Sequence, residues 1–192
     1  MLKIGILGGT FNPVHNGHLI LGEEACRILG LNKVIFVPCY LPPHKNHRDL
    51  IPAHHRLAMV REAIKGNKHF TVSDIEIKEG GVSYTVETLK KFKRIFHPYT
   101  ELFLIVGSDA VQELPTWKNF KEILELSIII IAERADFKVV KKPRWAKIIK
   151  IPQIEISSSE IRRRVRKGIS IRYLVPPAVE KYITKNKLYR NE

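Results

Sequence analysis

The chain folds around one segment, Ile4-Gly5-Ile6-Leu7-Gly8-Gly9-Thr10-Phe11-Asn12-Pro13-Val14-His15-Asn16-Gly17-His18. The apolar run Ile4 to Leu7 is a short buried strand, interrupted only by Gly5. Gly8 and Gly9 follow, where the backbone turns sharply and can approach a ligand with no Cβ in the way. His15 and His18 stand at the start of a helix expected from Gly17 or His18 to about Leu29, and residues spaced i and i+3 share a helix face. A helix N-terminus carries unpaired N–H groups and partial positive charge. Strand, glycine turn and histidine-bearing helix start therefore read as a phosphate cradle. Neither common phosphate loop fits, because no Gly-Lys-Ser/Thr follows and the glycines miss the G-x-G-x-x-G spacing.

Working outward, the 192 residues are enough for one α/β domain with its own core, and a single domain over 1–192 is expected. The longest apolar run, Ile128 to Ala132, is too short to span a bilayer. Met1-Leu2-Lys3 leads straight into the first strand with no signal-peptide pattern, so a cytoplasmic protein is expected. Cys26 and Cys39 give no disulfide framework. A net charge of +14 suits anionic partners, either nucleic acid or small phosphorylated substrates. The densest basic cluster, Arg162 to Lys167, reads for the most part as a solvated helix face, and no RNA-binding or zinc-finger pattern accompanies it.

Further strands are expected over Lys33–Val37, Phe70–Ile77, Leu102–Val106, Ser127–Ala132 (central by its isoleucine run) and Lys147–Ile151. Helices are expected over Ala53–Lys65, from Ser83-Tyr84-Thr85 to about Phe96, from Ser157-x-x-Glu160 to Gly168, and from Pro176-Pro177 to about Lys185. Leu114-Pro115-Thr116-Trp117 interrupts two short helical pieces, and Cys39 to Pro52 is a loop long enough to suggest function. Alternating strands and helices imply a parallel sheet covered on both faces. Ligands in such sheets sit at the carboxyl ends of strands near the switch in strand order. The glycine–histidine loop, the Pro42-Pro43 loop and Gly107-Ser108-Asp109 all follow strands in that sense, so the three are expected to converge.

Residues 8–18 closely resemble the signature G-[GT]-[TS]-F-[DN]-P-x-H-x-G-H of the nucleotidyltransferase superfamily of adenylyl- and cytidylyltransferases. Ile156-Ser157-Ser158-Ser159-Glu160-Ile161-Arg162 resembles its second motif, I-S-[ST]-[ST]-x-[IL]-R. The resemblance implies a Rossmann-like α/β fold and nucleotidyl transfer, in which a phosphate monoester attacks the α-phosphorus of a nucleotide and expels pyrophosphate. A monoester with a second pKa near about 6 is largely dianionic at neutral pH and needs no general base. Such a site must supply alignment and positive charge. His15, His18 and Arg162 are the candidates for that catalytic work, and no nucleophile–base–orienter triad is evident. The resemblance also implies ATP binding by Gly8, Gly9, Thr10, Phe11, Ser157 and Ser158. Asn12 stands where many relatives have Asp, which removes a possible metal-binding carboxylate. A two-histidine metal site lacks an evident third ligand.

Pro42-Pro43-His44-Lys45, Ser83-Tyr84-Thr85-Val86-Glu87-Thr88-Leu89 and Gly107-Ser108-Asp109 through Leu114-Pro115-Thr116-Trp117 look like the bacterial nicotinate mononucleotide adenylyltransferases. That resemblance implies conversion of ATP and nicotinate mononucleotide to deamido-NAD and pyrophosphate, with Mg²⁺ on the phosphates. Gly107, Asp109 and Arg134 would then meet ATP, while Lys45, Tyr84, Thr85 and Trp117 would meet the mononucleotide. Rival readings stay open: Trp117 as core, Thr85 and Asp109 as caps, Lys45 as solvated. Phosphopantetheine adenylyltransferases and cytidylyltransferases share the histidine loop, and a basic nucleic-acid-binding module is the alternative of another class. Cys39, His44, His47, His54 and His55 cluster in sequence, but C-x₄-H-x₂-H is no standard zinc spacing, and no metal site is expected there.

Overall fold

The computed structural model describes residues 1–43, 49–133, 143–152 and 154–190. Among them, six strands form one sheet: β1 (Lys3–Gly9), β2 (Lys33–Pro38), β3 (Phe70–Val72), β4 (Glu101–Gly107), β5 (Ile128–Glu133) and β6 (Ala146–Lys150). Every pairing is parallel, and the spatial order is β3-β2-β1-β4-β5-β6. The chain builds outward from β1 through β2 and β3, then returns to the other side of β1 for β4, β5 and β6. This is the doubly wound, Rossmann-like order, with its switch between β1 and β4.

The helices are α1 (Asn16–Leu29), α2 (Ala53–Ala63), α3 (Ile75–Glu79), α4 (Thr85–Ile95), α5 (Phe120–Leu126), α6 (Ser158–Arg166) and α7 (Pro177–Lys185). Strand alternation sorts the core into two layers. Ile4 and Ile6 of β1 and Leu102, Leu104 and Val106 of β4 pack with Val86, Leu89 and Phe92 of α4 and Ile123 of α5. Leu7, Phe103 and Ile105 point the other way, toward Leu21 and Ala25 of α1, Met59 and Val60 of α2, Ile161 of α6 and Val179 and Ile183 of α7. Among the described residues, no helix is long and apolar enough to cross a membrane.

Two expectations change. The alternation over Phe70–Ile77 yields a strand only at Phe70–Val72, and Ile75–Glu79 coils into α3. Ser73 ends the ladder by donating its N–H to Phe36 O (2.9 Å), and its hydroxyl accepts from Ile75 N (3.4 Å), a local bond that competes with strand pairing. The isoleucine run of β5 is interior but not central, since only β6 lies beyond it. A strand covered on both faces reads as continuously apolar wherever it stands in the sheet. The stretch expected to interrupt two short helical pieces lies between the 3₁₀ turn Ser108–Ala110 and α5, and its Leu114–Thr116 is itself a 3₁₀ turn.

Candidate active site at the carboxyl ends of three strands

β2, β1 and β4 are neighbours, so the loops leaving their carboxyl ends are brought together, as the sequence implies. Gly8 is exposed and a Cβ there would meet nothing within 4 Å, which leaves open space over the turn. Gly9 backs onto the Phe11 ring, where a Cβ would lie 2.9 Å from Cζ. That ring is buried and stands edge-on to His18, with centroids 5.0 Å apart. Phe11 can therefore offer a ligand only its backbone, held at φ 48°.

The two histidines are stacked, with ring centroids 3.7 Å apart and planes tilted by 33°. His15 precedes α1 with extended backbone, and its N–H donates to His18 Nδ1 at 3.2 Å. An Nδ1 that accepts an amide hydrogen leaves the proton of a neutral ring on Nε2, which makes His18 Nε2 a donor. Gly17 makes the stacking possible, since a Cβ there would lie 3.1 Å from His15 Nδ1 and 3.2 Å from Cε1.

The second motif meets this loop directly. Arg162 Nη1 donates to Asn12 O at 2.9 Å, and Ser158 Oγ donates to Pro13 O at 2.8 Å, across 150 and 145 residues of sequence. Ser157 caps α6, its Oγ accepting from Glu160 N at 3.1 Å. Bonds from Arg163 and then Arg164 hold the Glu160 carboxyl down at about 2, so both arginines are committed to the surface. Arg162 alone of the three turns inward, with 14% of its side chain exposed and Nε buried without a partner among the described residues.

Tyr40 N–H donates to Ser83 Oγ (2.9 Å) and Ser83 N–H to Leu41 O (2.9 Å), which joins the loop after β2 to the start of α4. Thr85 is the first residue of α4 and Tyr84 its N-cap, with no side chain capping the helix. The capping alternative for Thr85 therefore falls away. Lys118 Nζ lies 4.5 Å over the Tyr84 ring and 3.3 Å from Glu87 Oε1, which carries the neighbouring Trp117 to the same corner. Trp117 is half-buried and packs against the core cluster that Tyr84 also borders, so part of its ring is core. Asp109 is exposed, and its carboxylate occupies the place a Cβ would take on Gly107. Lys45 and Arg134 lie outside the described residues.

Arg56 was not foreseen as part of the site. It is fully buried, with Nε donating to Ile51 O (3.2 Å), Nη1 to Thr10 O (2.8 Å) and Nη2 to Tyr40 O (2.7 Å). One guanidinium thus ties the loop after β1 to the loop after β2. The trace in the sequence is an arginine on the helical stripe shared with Met59, Val60 and Ala63, where the period calls for an apolar residue. Its neighbour His55 bonds Tyr182 Oη through Nδ1 at 3.0 Å, and burial, followed by His54, pushes its pKa down. Burial pushes the Cys39 thiol up. Among the described residues, no group of three or more His, Cys, Asp or Glu could hold a metal ion, and His44 and His47 lie outside them.

Comparison with known proteins agrees with this geometry. The cytidylyltransferase-like family model matches residues 6–164. Proteins named "probable nicotinate-nucleotide adenylyltransferase" are similar over nearly the full length. That of Thermomicrobium roseum is 40% identical, covering 99% of this chain and 92% of the relative. That of Thermus thermophilus is 41% identical, covering 98% and 100%. Among solved structures, Plasmodium falciparum nicotinic acid mononucleotide adenylyltransferase complexed with NaAD superposes with a TM-score of 0.82 at 26% identity, covering 98% of each chain. The motif-bearing loop, the arginine helix that closes on it and these full-length similarities agree: the chain belongs to the cytidylyltransferase-like family, among the nicotinate-nucleotide adenylyltransferases.

Proposed function

We propose that this protein transfers the adenylyl group of ATP to nicotinate mononucleotide, giving deamido-NAD and pyrophosphate in NAD biosynthesis. The observation that carries it is the junction of the two motifs, where Arg162 and Ser158 hold Asn12 and Pro13 beside the stacked histidines. A polyanion laid over Gly8 and Gly9 meets His18 Nε2–H and the Arg162 guanidinium together. The mononucleotide phosphate, already dianionic, attacks the α-phosphorus in line, a new P–O bond forms, and the bond to the bridging oxygen breaks as pyrophosphate leaves. No covalent enzyme intermediate is needed. His15, His18 and Arg162 act as donors to charge that develops on the phosphoryl oxygens, and positioning supplies the rest of the rate.

Gly8, Gly9, Thr10, the Phe11 backbone and the start of α6 at Ser157 and Ser158 would line the triphosphate, with Gly107, Asp109 and Arg134 toward the adenosine. The uncapped first turn of α4 at Tyr84 and Thr85 suits the nicotinate carboxylate, with the exposed part of Trp117 as a stacking face and Lys45 toward the phosphate. The reading takes ATP as its Mg²⁺ complex, the ion riding on the phosphates. That suits a loop whose residue 12 is an amide rather than a carboxylate. It also takes 1–192 as one catalytic domain in the cytoplasm. Support for one domain comes from α7, whose Val179 and Ile183 share a core cluster with β1 and α1.

The test is pyrophosphate release from ATP with nicotinate mononucleotide, nicotinamide mononucleotide and phosphopantetheine as acceptors. Nicotinate mononucleotide is expected to give the highest kcat/KM, since a site of fixed N–H donors and positive potential loses charge-assisted bonds to an amide isostere. Faster turnover of phosphopantetheine overturns the assignment.

A further inference from the structure

On the adenylyl-transfer reading, we infer that Tyr189, three residues from the end of the chain, is a positioning residue that fixes the histidine loop through Asn12. Its hydroxyl donates to Asn12 Oδ1 at 2.9 Å, across 177 residues of sequence. Asn12 is itself buried and uses its other half as well, with Nδ2 donating to Asp49 O at 2.8 Å. The side chain must therefore accept on one side and donate on the other, which an amide does and a carboxylate does not. Its carbonyl is the acceptor for Arg162 Nη1. One residue thus joins the C-terminal tyrosine, the loop before α2 and the arginine of the second motif.

The end of α7 is built to deliver this hydroxyl. Leu188 N donates to Ile183 O (3.0 Å) and Lys187 N to Thr184 O (3.2 Å), with Lys187 at φ 51°, the pair of bonds that closes a Schellman motif. Leu188 is buried in the cluster shared by β1, α1 and α7, which anchors the turn. Tyr189 follows at φ 61°, a left-handed conformation that tyrosine rarely adopts and that aims the ring back under the loop. Burial pushes its phenol above the ordinary range even beside Arg162 and Arg56, so the hydroxyl stays protonated and remains a donor. The loop is thereby gripped at Thr10 O by Arg56, at the Asn12 side chain by Tyr189, at Asn12 O by Arg162 and at Pro13 O by Ser158. Tyr189 touches no reacting atom in this arrangement and acts through Asn12.

Tyr189→Phe removes the hydroxyl and keeps the buried ring. The expected result is a fall in kcat of at least about tenfold at nearly unchanged KM for ATP, since misplacement of aligned groups is read in turnover. Amide hydrogen exchange should quicken in residues 10–16 while α7 keeps its protection and Tm falls by only several degrees, as one stranded amide oxygen implies. Asn12→Ala and the double variant complete a cycle, in which the double variant is expected to be no slower than the slower single one. Unchanged exchange at 10–16, additive losses, or a loss of activity that only follows a lowered Tm overturns the inference. If the wild-type protein fails to turn over nicotinate mononucleotide, the adenylyl-transfer reading fails instead, and exchange at 10–16 alone decides the role of Tyr189.

Discussion

His18 and Arg56 show two ways in which one side chain carries the site. His18 is half-buried over the buried Phe11 ring, with Nδ1 already bonded to the His15 amide, so its orientation is set before any ligand arrives. His18→Ala is expected to lower kcat by about 100-fold or more, the size of losing one preorganised donor to a transition-state oxyanion. Circular dichroism and Tm should stay near wild type, and near-normal turnover would remove the catalytic role proposed for it. Arg56 is the opposite case, a cation with no route to substrate. Arg56→Met fills similar volume but strands the carbonyls of Thr10, Tyr40 and Ile51 in the interior. A loss of about 3 kcal/mol or more in urea unfolding is expected, because each unpaired buried carbonyl costs about 1–3 kcal/mol. A change below about 1 kcal/mol, within the range of an ordinary surface substitution, would show that water satisfies those groups.

Among the elements, α4 and α6 present their N-termini to the site in different states. α6 begins with a satisfied cap at Ser157 and an ion-paired first turn at Glu160, so its start is rigid. α4 begins uncapped, and its entry is held from the side by Glu76 of α3, which accepts from Thr88 Oγ1 at 2.5 Å and from Ser83. Burial pushes the Glu76 carboxyl above its ordinary value, outweighing those hydroxyl bonds. Below its ordinary pKa this group is protonated in both folded and unfolded chains and costs nothing. As pH rises through the folded pKa, the folded protein must ionise a buried group that the unfolded chain has already ionised, so stability falls. Glu76→Gln should therefore raise Tm at pH 8 and leave it little changed at pH 4. A gain of equal size at both pH values would disprove the titration. This short helix occupies sequence that alternates like a strand, which is why periodicity alone missed it.

For the molecule as a whole, the net charge of +14 is spread along the chain, with its densest run at Arg162 to Lys167. Cationic surface raises the encounter rate with polyanions and is screened by salt. The kcat/KM for Mg²⁺-ATP should fall several-fold between about 50 and about 200 mM salt while kcat holds, measured by initial rates. Tight, steeply salt-dependent binding of oligonucleotides over the same range would favour a nucleic-acid partner instead.

The sequence by itself determined the order of strands and helices apart from α3, the glycine turn leading into the histidine-bearing helix, and the separation of Arg162 from its surface neighbours, because those rest on local periodicity, turn chemistry and an unusually specific motif. It also pointed to Tyr84 and Trp117, which border the same core cluster. Only the tertiary structure decided that Phe11 faces the core, that the Ser158 hydroxyl is given to Pro13, and that Arg56 and Tyr189 hold the loop. Those four facts depend on contacts across many residues of chain, and a side chain's environment at such separations is set by packing of the whole sheet and its helices, which no local pattern encodes.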